Sequence, residues 1–153
     1  MNLDKSGIYL LLFMGIALVS CSKDPKRFEL IDPKLSGIYF SNTIRETDSI
    51  HYFNFPYIYN GAGVGVADFN KDGLTDIFFA GNMVSSRLYL NKGSFRFEDI
   101  SKKAGVTTTQ WATGVSVVDI NQDGWPDIYL CMSGYATTEE RKNKLFINTF
   151  KIS

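Results

Sequence analysis

The sequence holds one histidine, His51, and two cysteines, Cys21 and Cys131, among 153 residues. A histidine-rich metal site is thereby excluded, and a lone histidine ordinarily serves the surface or packing. Charge of one sign is also missing: sixteen Lys and Arg oppose sixteen Asp and Glu, for a formal net charge of zero. Without a global field, and with no local basic cluster, nothing favours nucleic acid or an acidic membrane surface as partner. No nucleophile stands with a base and there is no phosphate loop, so the residues point away from an enzyme. Long apolar runs are lacking too. The longest, "GIYLLLFMGIALVS" from Gly7 to Ser20, falls short of the roughly 20 residues that a membrane-spanning helix needs. What is present suits a folded domain: 44% of residues are hydrophobic and 14% aromatic, enough to bury a core.

The short apolar run follows Lys5 and ends in "LVSC", residues 18–21, which reads as a secretory signal. Leu18 to Cys21 resemble a bacterial lipobox, in which the Cys thiol is acylated and becomes the new N-terminus. Small residues before the Cys suit a signal peptidase groove, and the polar run "SKDPKR" behind it makes a tether; Asp4 departs from the plainly basic n-region expected. The competing reading is a buried N-terminal helix with an incidental Cys. The expectation is an outer-membrane lipoprotein of the cell envelope, anchored through Cys21, with periplasmic or surface orientation open. Cys131 then has no partner, so disulfides are not the stabilising device; it sits in an apolar strand as a small buried hydrophobe.

An internal repeat organises the rest. "GVGVADFNKDGLTDIFFAGN" aligns with "GVSVVDINQDGWPDIYLCMSG", Asp68 and Asp119 standing 51 positions apart, and "RLYLNKG" aligns with "KLFINTF" at an offset of 57. The second copy thus carries about six extra residues around "YATTEERKN", the loop insertion a structural repeat tolerates. Short runs of β-branched and aromatic residues between Gly, Asn and Asp read as strands: "GVGVAD", "DIFFAG", "RLYLN" and "SFRFEDI", with a turn at "NKGS". Four such strands make one antiparallel sheet. The second copy supplies "GVSVVD", "DIYLCM" and "KLFIN", without a fourth. The one helical candidate is a short turn near "ISKKAGV". The division expected is 1–21 signal peptide, 22–60 tether and lead-in, 61–105 first repeat, and 106–153 second, truncated repeat.

Each copy contains an acidic loop. "DFNKDGLTD" places Asp68, Asn70 and Asp72 at positions 1, 3 and 5, Gly73 at 6, the carbonyl of Leu74 at 7 and Asp76 at 9; "DINQDGWPD" repeats this with Asp119, Asn121, Asp123, Gly124, the carbonyl of Trp125, and Asp127. Oxygen donors at positions 1, 3 and 5 wrap a hard cation, and Gly at 6 permits the bend. An EF-hand would need Glu at position 12, where Phe79 and Leu130 stand, and flanking helices. The plain alternative is a hairpin turn, since Asp-Gly is a turn signal by itself. A turn does not need three carboxylates in nine residues, twice over, and these repel unless a cation sits among them. Two Ca2+ sites are expected, magnesium being less suited because it keeps several waters.

These residues resemble the FG-GAP or VCBS repeat family, the calcium-loop blades also seen in integrin α-subunit propellers, over roughly Gly61 to Asn148. The resemblance implies an all-β fold of four-stranded antiparallel β-propeller blades, each with calcium between its first two strands. "YIYNGAGVGVADFNKDGLTDIFFAGN" and "LYLNKGSFRFEDISKKAGV" are more narrowly similar to large Bacteroidetes lipoproteins that carry FG-GAP repeats with an ASPIC and UnbV type C-terminal domain. That domain is absent here, and a propeller usually takes about 4 to 8 blades, so an incomplete propeller is expected. The function implied is adhesion or ligand binding at the envelope, with an extracellular protein or glycan ligand and with further blades or another chain as partners. The alternatives are the propeller part of an envelope enzyme or glycan-handling system, and, less favoured, a nucleic-acid-binding protein.

The lead-in carries two further stretches. "SGIYFSN" has the pattern of an outer blade strand able to close a ring. "NFPYIY", residues 54–59, is aromatic enough for rings to stack on a sugar or base, but core packing between sheets is the reading preferred.

Overall fold

The structure, a computed structural model, describes residues 26–134 and 137–149. The signal segment, Cys21, and residues 150–153 lie outside the described residues. The chain divides after Leu30, and the described residues from Ile31 onward, the lead-in from that point included, form one compact unit. Among the described residues no helix is long and apolar enough to cross a membrane.

Two antiparallel sheets make up this unit. The first runs β1 (Val64–Ala67), β2 (Asp76–Phe79), β3 (Arg87–Asn91) and β4 (Phe97–Asp99), in spatial order 1-2-3-4. The second contains β5 (Ala112–Val118), β6 (Asp127–Met132) and β7 (Lys144–Phe146), in order 5-6-7. The fold is therefore all-β, as expected, and each sheet meanders outward from its first strand. The first sheet falls within 61–105 and the second after 106.

Because side chains alternate across a strand, register decides what each face offers. In the first sheet Ile77 lies opposite Tyr89 and Phe78 opposite Leu88. Phe78, Ala80 and Leu88 point to the second sheet and are all but fully buried, joining Phe69, Val106, Ala112, Ile128, Leu130 and Met132 in one core. Each large side chain so buried contributes about 1.5–3 kcal/mol of transfer free energy. The second sheet answers with the opposite face of its repeat: Ile128 and Leu130, which pack on the first sheet, are the equivalents of Ile77 and Phe79, which point away from it. The sheets thus stack in one sense, face to back. The first strands also meet: a Cβ on Gly65 would lie 2.7 Å from a Val117 methyl and 2.8 Å from one of Val115, so only glycine lets β5 come this close to β1.

The lead-in departs from expectation. Asp32 accepts the Lys34 amide and caps a four-residue helix, α1 (Pro33–Ser36), with Pro33 in its first turn and Gly37 closing it at φ 76°. Residues 37–42, read as an outer strand, belong to no strand. They run as a strap over the outward face of the first sheet, where the Phe40 ring stacks on Phe79 at 4.9 Å. Asn42 and Asn82 pair through two hydrogen bonds of 2.6 and 3.0 Å, and Asn82 also donates to the carbonyls of Gly61 and Ala112. One buried amide thereby ties strap, first sheet and second sheet.

Smaller details complete the unit. "SFRFEDI" is strand only over Phe97–Asp99, because Ser94 and Phe95 take φ 50° and 56° and lengthen the turn that the Lys92 amide closes on the Arg96 carbonyl. "ISKKAGV" is a hydrogen-bonded turn, its Val106 inserted into the core. Pro56–Tyr59 forms a 3-10 helix whose Ile58 is fully buried while Tyr57 and Tyr59 are exposed, so the expected core packing of "NFPYIY" holds for Ile58 and for Phe55, edge-on to Trp111 at 5.2 Å, and not for the two tyrosines. Cys131, expected as a buried hydrophobe, is only half-buried, because alternation along β6 sends Leu130 and Met132 into the core and Cys131 to the other face. His51 is half-buried as well, its amide held by Asn54 Oδ1 and its ring edge-on to Phe53.

Candidate functional site

The two acidic loops connect the first and second strands of their sheets, β1 to β2 and β5 to β6, and they fold alike. Position 4 is left-handed in both, Lys71 at φ 57° and Gln122 at 59°, and so is position 6, Gly73 at 85° and Gly124 at 86°. An L side chain at position 6 would be strained. These two turns curl the backbone around the side chain at position 1. Asp68 accepts the amides of Asp72 and Gly73 at 3.1 and 2.8 Å; Asp119 accepts those of Asp123 and Gly124 at the same distances. Asn70 accepts the Asp72 amide and donates to its carboxylate, and Asp72 accepts the Leu74 amide. Asn121, Asp123 and Trp125 repeat these bonds.

Position 9 has a further task. Asp76 and Asp127 are fully buried. Asp76 accepts the Phe69 amide on one oxygen and the Asn91 amide on the other, at 2.8 and 2.7 Å. Asp127 accepts Ile120 and Asn148 in the same way, at 3.0 and 2.7 Å. Each thus staples the loop to the end of the third strand. Burial pushes the Asp76 carboxyl above its ordinary value; the two amides oppose this, and the charges of Asp72 and Asp68 add to it.

The loops are also joined to each other, which the repeat alone did not reveal. Lys71 Nζ of the first loop lies 4.1 Å above the Trp125 ring of the second, and the Asn148 amide donates across to the Phe69 carbonyl at 2.9 Å. Asp123 is held below the usual carboxylate range by the Trp125 amide first, then by the Asn121 side chain and the Lys71 charge. Asn91 and Asn148 were missed as partners of the loops; their signal was the shared asparagine of "LYLN" and "LFIN".

In kind, the donors fit a hard cation: carboxylates, a side-chain amide and a backbone carbonyl, with no nitrogen or sulfur ligand. Their carboxylates are met here by backbone N–H groups. Among the described residues, no three His, Cys, Asp or Glu side chains gather as a metal-holding group.

The sheets and paired loops define a class: a repeat protein of stacked, blade-like antiparallel sheets. Residues 68–130, from the first acidic loop through the second to β6, match the model of the FG-GAP-like repeat. No curated protein and no solved structure matches the chain.

Proposed function

We propose that the chain is a calcium-binding, propeller-type binding module of the cell envelope, anchored by lipid on Cys21 and engaging a protein or glycan ligand. The observation that carries this is the identity of the two acidic loops, bond for bond, within the stretch that matches the FG-GAP-like repeat. Calcium would be held by Asp68, Asn70, Asp72, the Leu74 carbonyl and Asp76 in one loop, and by Asp119, Asn121, Asp123, the Trp125 carbonyl and Asp127 in the other. Bound there, the ion would cancel carboxylate repulsion and stiffen the loops, a structural role.

The module presents surfaces and is read as a binding protein, not an enzyme or a nucleic-acid binder. The narrower likeness to Bacteroidetes lipoproteins of the ASPIC and UnbV type supports an envelope location and rests on the phrases quoted above. Two assays test the reading. Metabolic labelling with a palmitate analogue should mark the wild-type chain and not Cys21→Ala; an unlabelled wild type removes the anchor. Arrays of glycans and matrix proteins, probed with calcium and with chelator, should show binding that chelation abolishes.

A further inference from the structure

The two loops agree bond for bond, yet they differ in charge. Each contains three carboxylates, and only the first contains a cation, Lys71 at position 4, where the second has Gln122. Lys71 is exposed, and its ammonium crosses to the second loop, 4.1 Å above the half-buried Trp125 ring. There it lies so near Gly124 that a Cβ on that glycine would stand 3.2 Å from Nζ. Gly124 separates Asp123 from Trp125, whose side chain and carbonyl, respectively, are proposed ligands. Among the described residues the ion pairs are Arg87–Asp99, Lys92–Glu98 and Lys142–Glu139, so the Lys71 ammonium rests on the ring and not on a carboxylate. The first loop thus places its one positive charge against its neighbour.

We propose that Lys71 makes the two loops unequal cation sites: carried across from the first loop, its ammonium stands as a resident counter-charge at the second and lowers that loop's affinity for a divalent cation below the first loop's. The inference rests on the calcium reading of the loops and adds the residue that ranks them. The affinity of an oxygen-lined loop for a hard cation follows the charge of its ligands. Both loops have the same ligand types at the same positions, so the ligands themselves do not rank them. The ammonium does, because it repels a second cation at the loop it faces. Across the few ångströms between neighbouring groups, repulsion between a single and a double positive charge in water is worth roughly three- to tenfold in affinity. An exposed ammonium over an aromatic ring is held only weakly, and salt screens its charge over a Debye length of about 10 Å at 0.1 M. The first loop therefore fills before the second, and the gap between them narrows as salt rises.

Calcium uptake by the full-length chain tests this, measured calorimetrically in variants that keep one loop each: Asp123→Ala leaves the first, Asp72→Ala the second. The second loop should bind several-fold more weakly than the first. Lys71→Met, which keeps an unbranched stem and removes the charge, should strengthen the second loop about three- to tenfold and the first by less, with the gain shrinking at high salt. Lys71→Arg keeps the charge and stacks on aromatic faces, so it should leave the second loop weak. Terbium, whose luminescence a nearby tryptophan sensitises, reads the second loop through Trp125 with the first loop intact. It should show the same Lys71→Met shift, which guards against Asp72→Ala having disturbed the arm. No gain at the second loop by either measurement, or an equal gain at both loops, would overturn the inference and leave the calcium sites standing. No uptake at either loop of the wild type would remove the calcium reading and the inference with it.

Discussion

At the scale of single residues, the buried carboxylates of Asp76 and Asp127 carry the most structure for their size. Asp76→Ala would strand the Phe69 and Asn91 amides, at about 1–3 kcal/mol for each buried donor left without an acceptor. Thermal or urea unfolding should show a loss of that order, with Asp76→Asn intermediate because its one carbonyl oxygen satisfies one amide. Asp127→Ala should behave alike through Ile120 and Asn148. Asp99 supplies a pH-dependent case. Burial raises its carboxyl, but the Ser101 hydroxyl and amide together with Arg87 overcome this and hold it below the ordinary value. A folded value depressed below the unfolded one stabilises above the unfolded value and is lost as pH falls through the folded one. Asp99→Asn should therefore cost stability at neutral pH, under about 1 kcal/mol at this exposure, and nothing in strong acid, as paired pH–unfolding curves would reveal. Sequence reading took both position-9 aspartates for cation ligands; their bonds to the third strands were hidden because those partners lie 15 and 21 positions away.

Among the elements, β3 and β6 were legible to the residue: "RLYLN" and "DIYLCM" are bounded by polar or turn-forming neighbours that leave no choice of ends. The failures share a cause, which is that tertiary contact overrides local pattern. "SGIYFSN" alternates like a strand, yet Gly37 is spent closing α1 and Phe40 is spent on the face of the sheet at Phe79, so the segment lies across the sheet and pairs with no strand. Phe95, an aromatic in a strand-like run, adopts φ 56° in the turn and is exposed. The Lys71–Trp125 contact joins residues that no spacing rule connects. At the junction of the sheets the element-scale prediction concerns Gly65. Gly65→Val would force side-chain atoms into Val115 and Val117, with overpacking costing about 1–3 kcal/mol. A lowered melting temperature is expected, and Val117→Ala in the same chain should recover part of it; no loss in Gly65→Val would mean that β1 and β5 are not so closely packed.

For the whole molecule, the claim on which the rest depends is that the two acidic loops are calcium sites that help hold the stacked sheets together. Lys71 on Trp125 and Asn148 on Phe69 link the loops, so an ion that ordered one loop would act on its neighbour as well. Any ligand that binds only the folded state stabilises it by RT ln(1 + [L]/Kd), about 2.7 kcal/mol at a hundredfold excess over Kd. The direct measurement is the melting temperature of the full chain titrated with calcium, with magnesium, and with chelator, for the wild type, Asp72→Ala, Asp123→Ala and the double variant. The expected result is a rise with calcium, little change with magnesium and a fall with chelator, reduced in each single variant and mostly gone in the double. A double variant that keeps the full calcium response, or a wild type that shows none, would contradict it and leave "DFNKDGLTD" a turn.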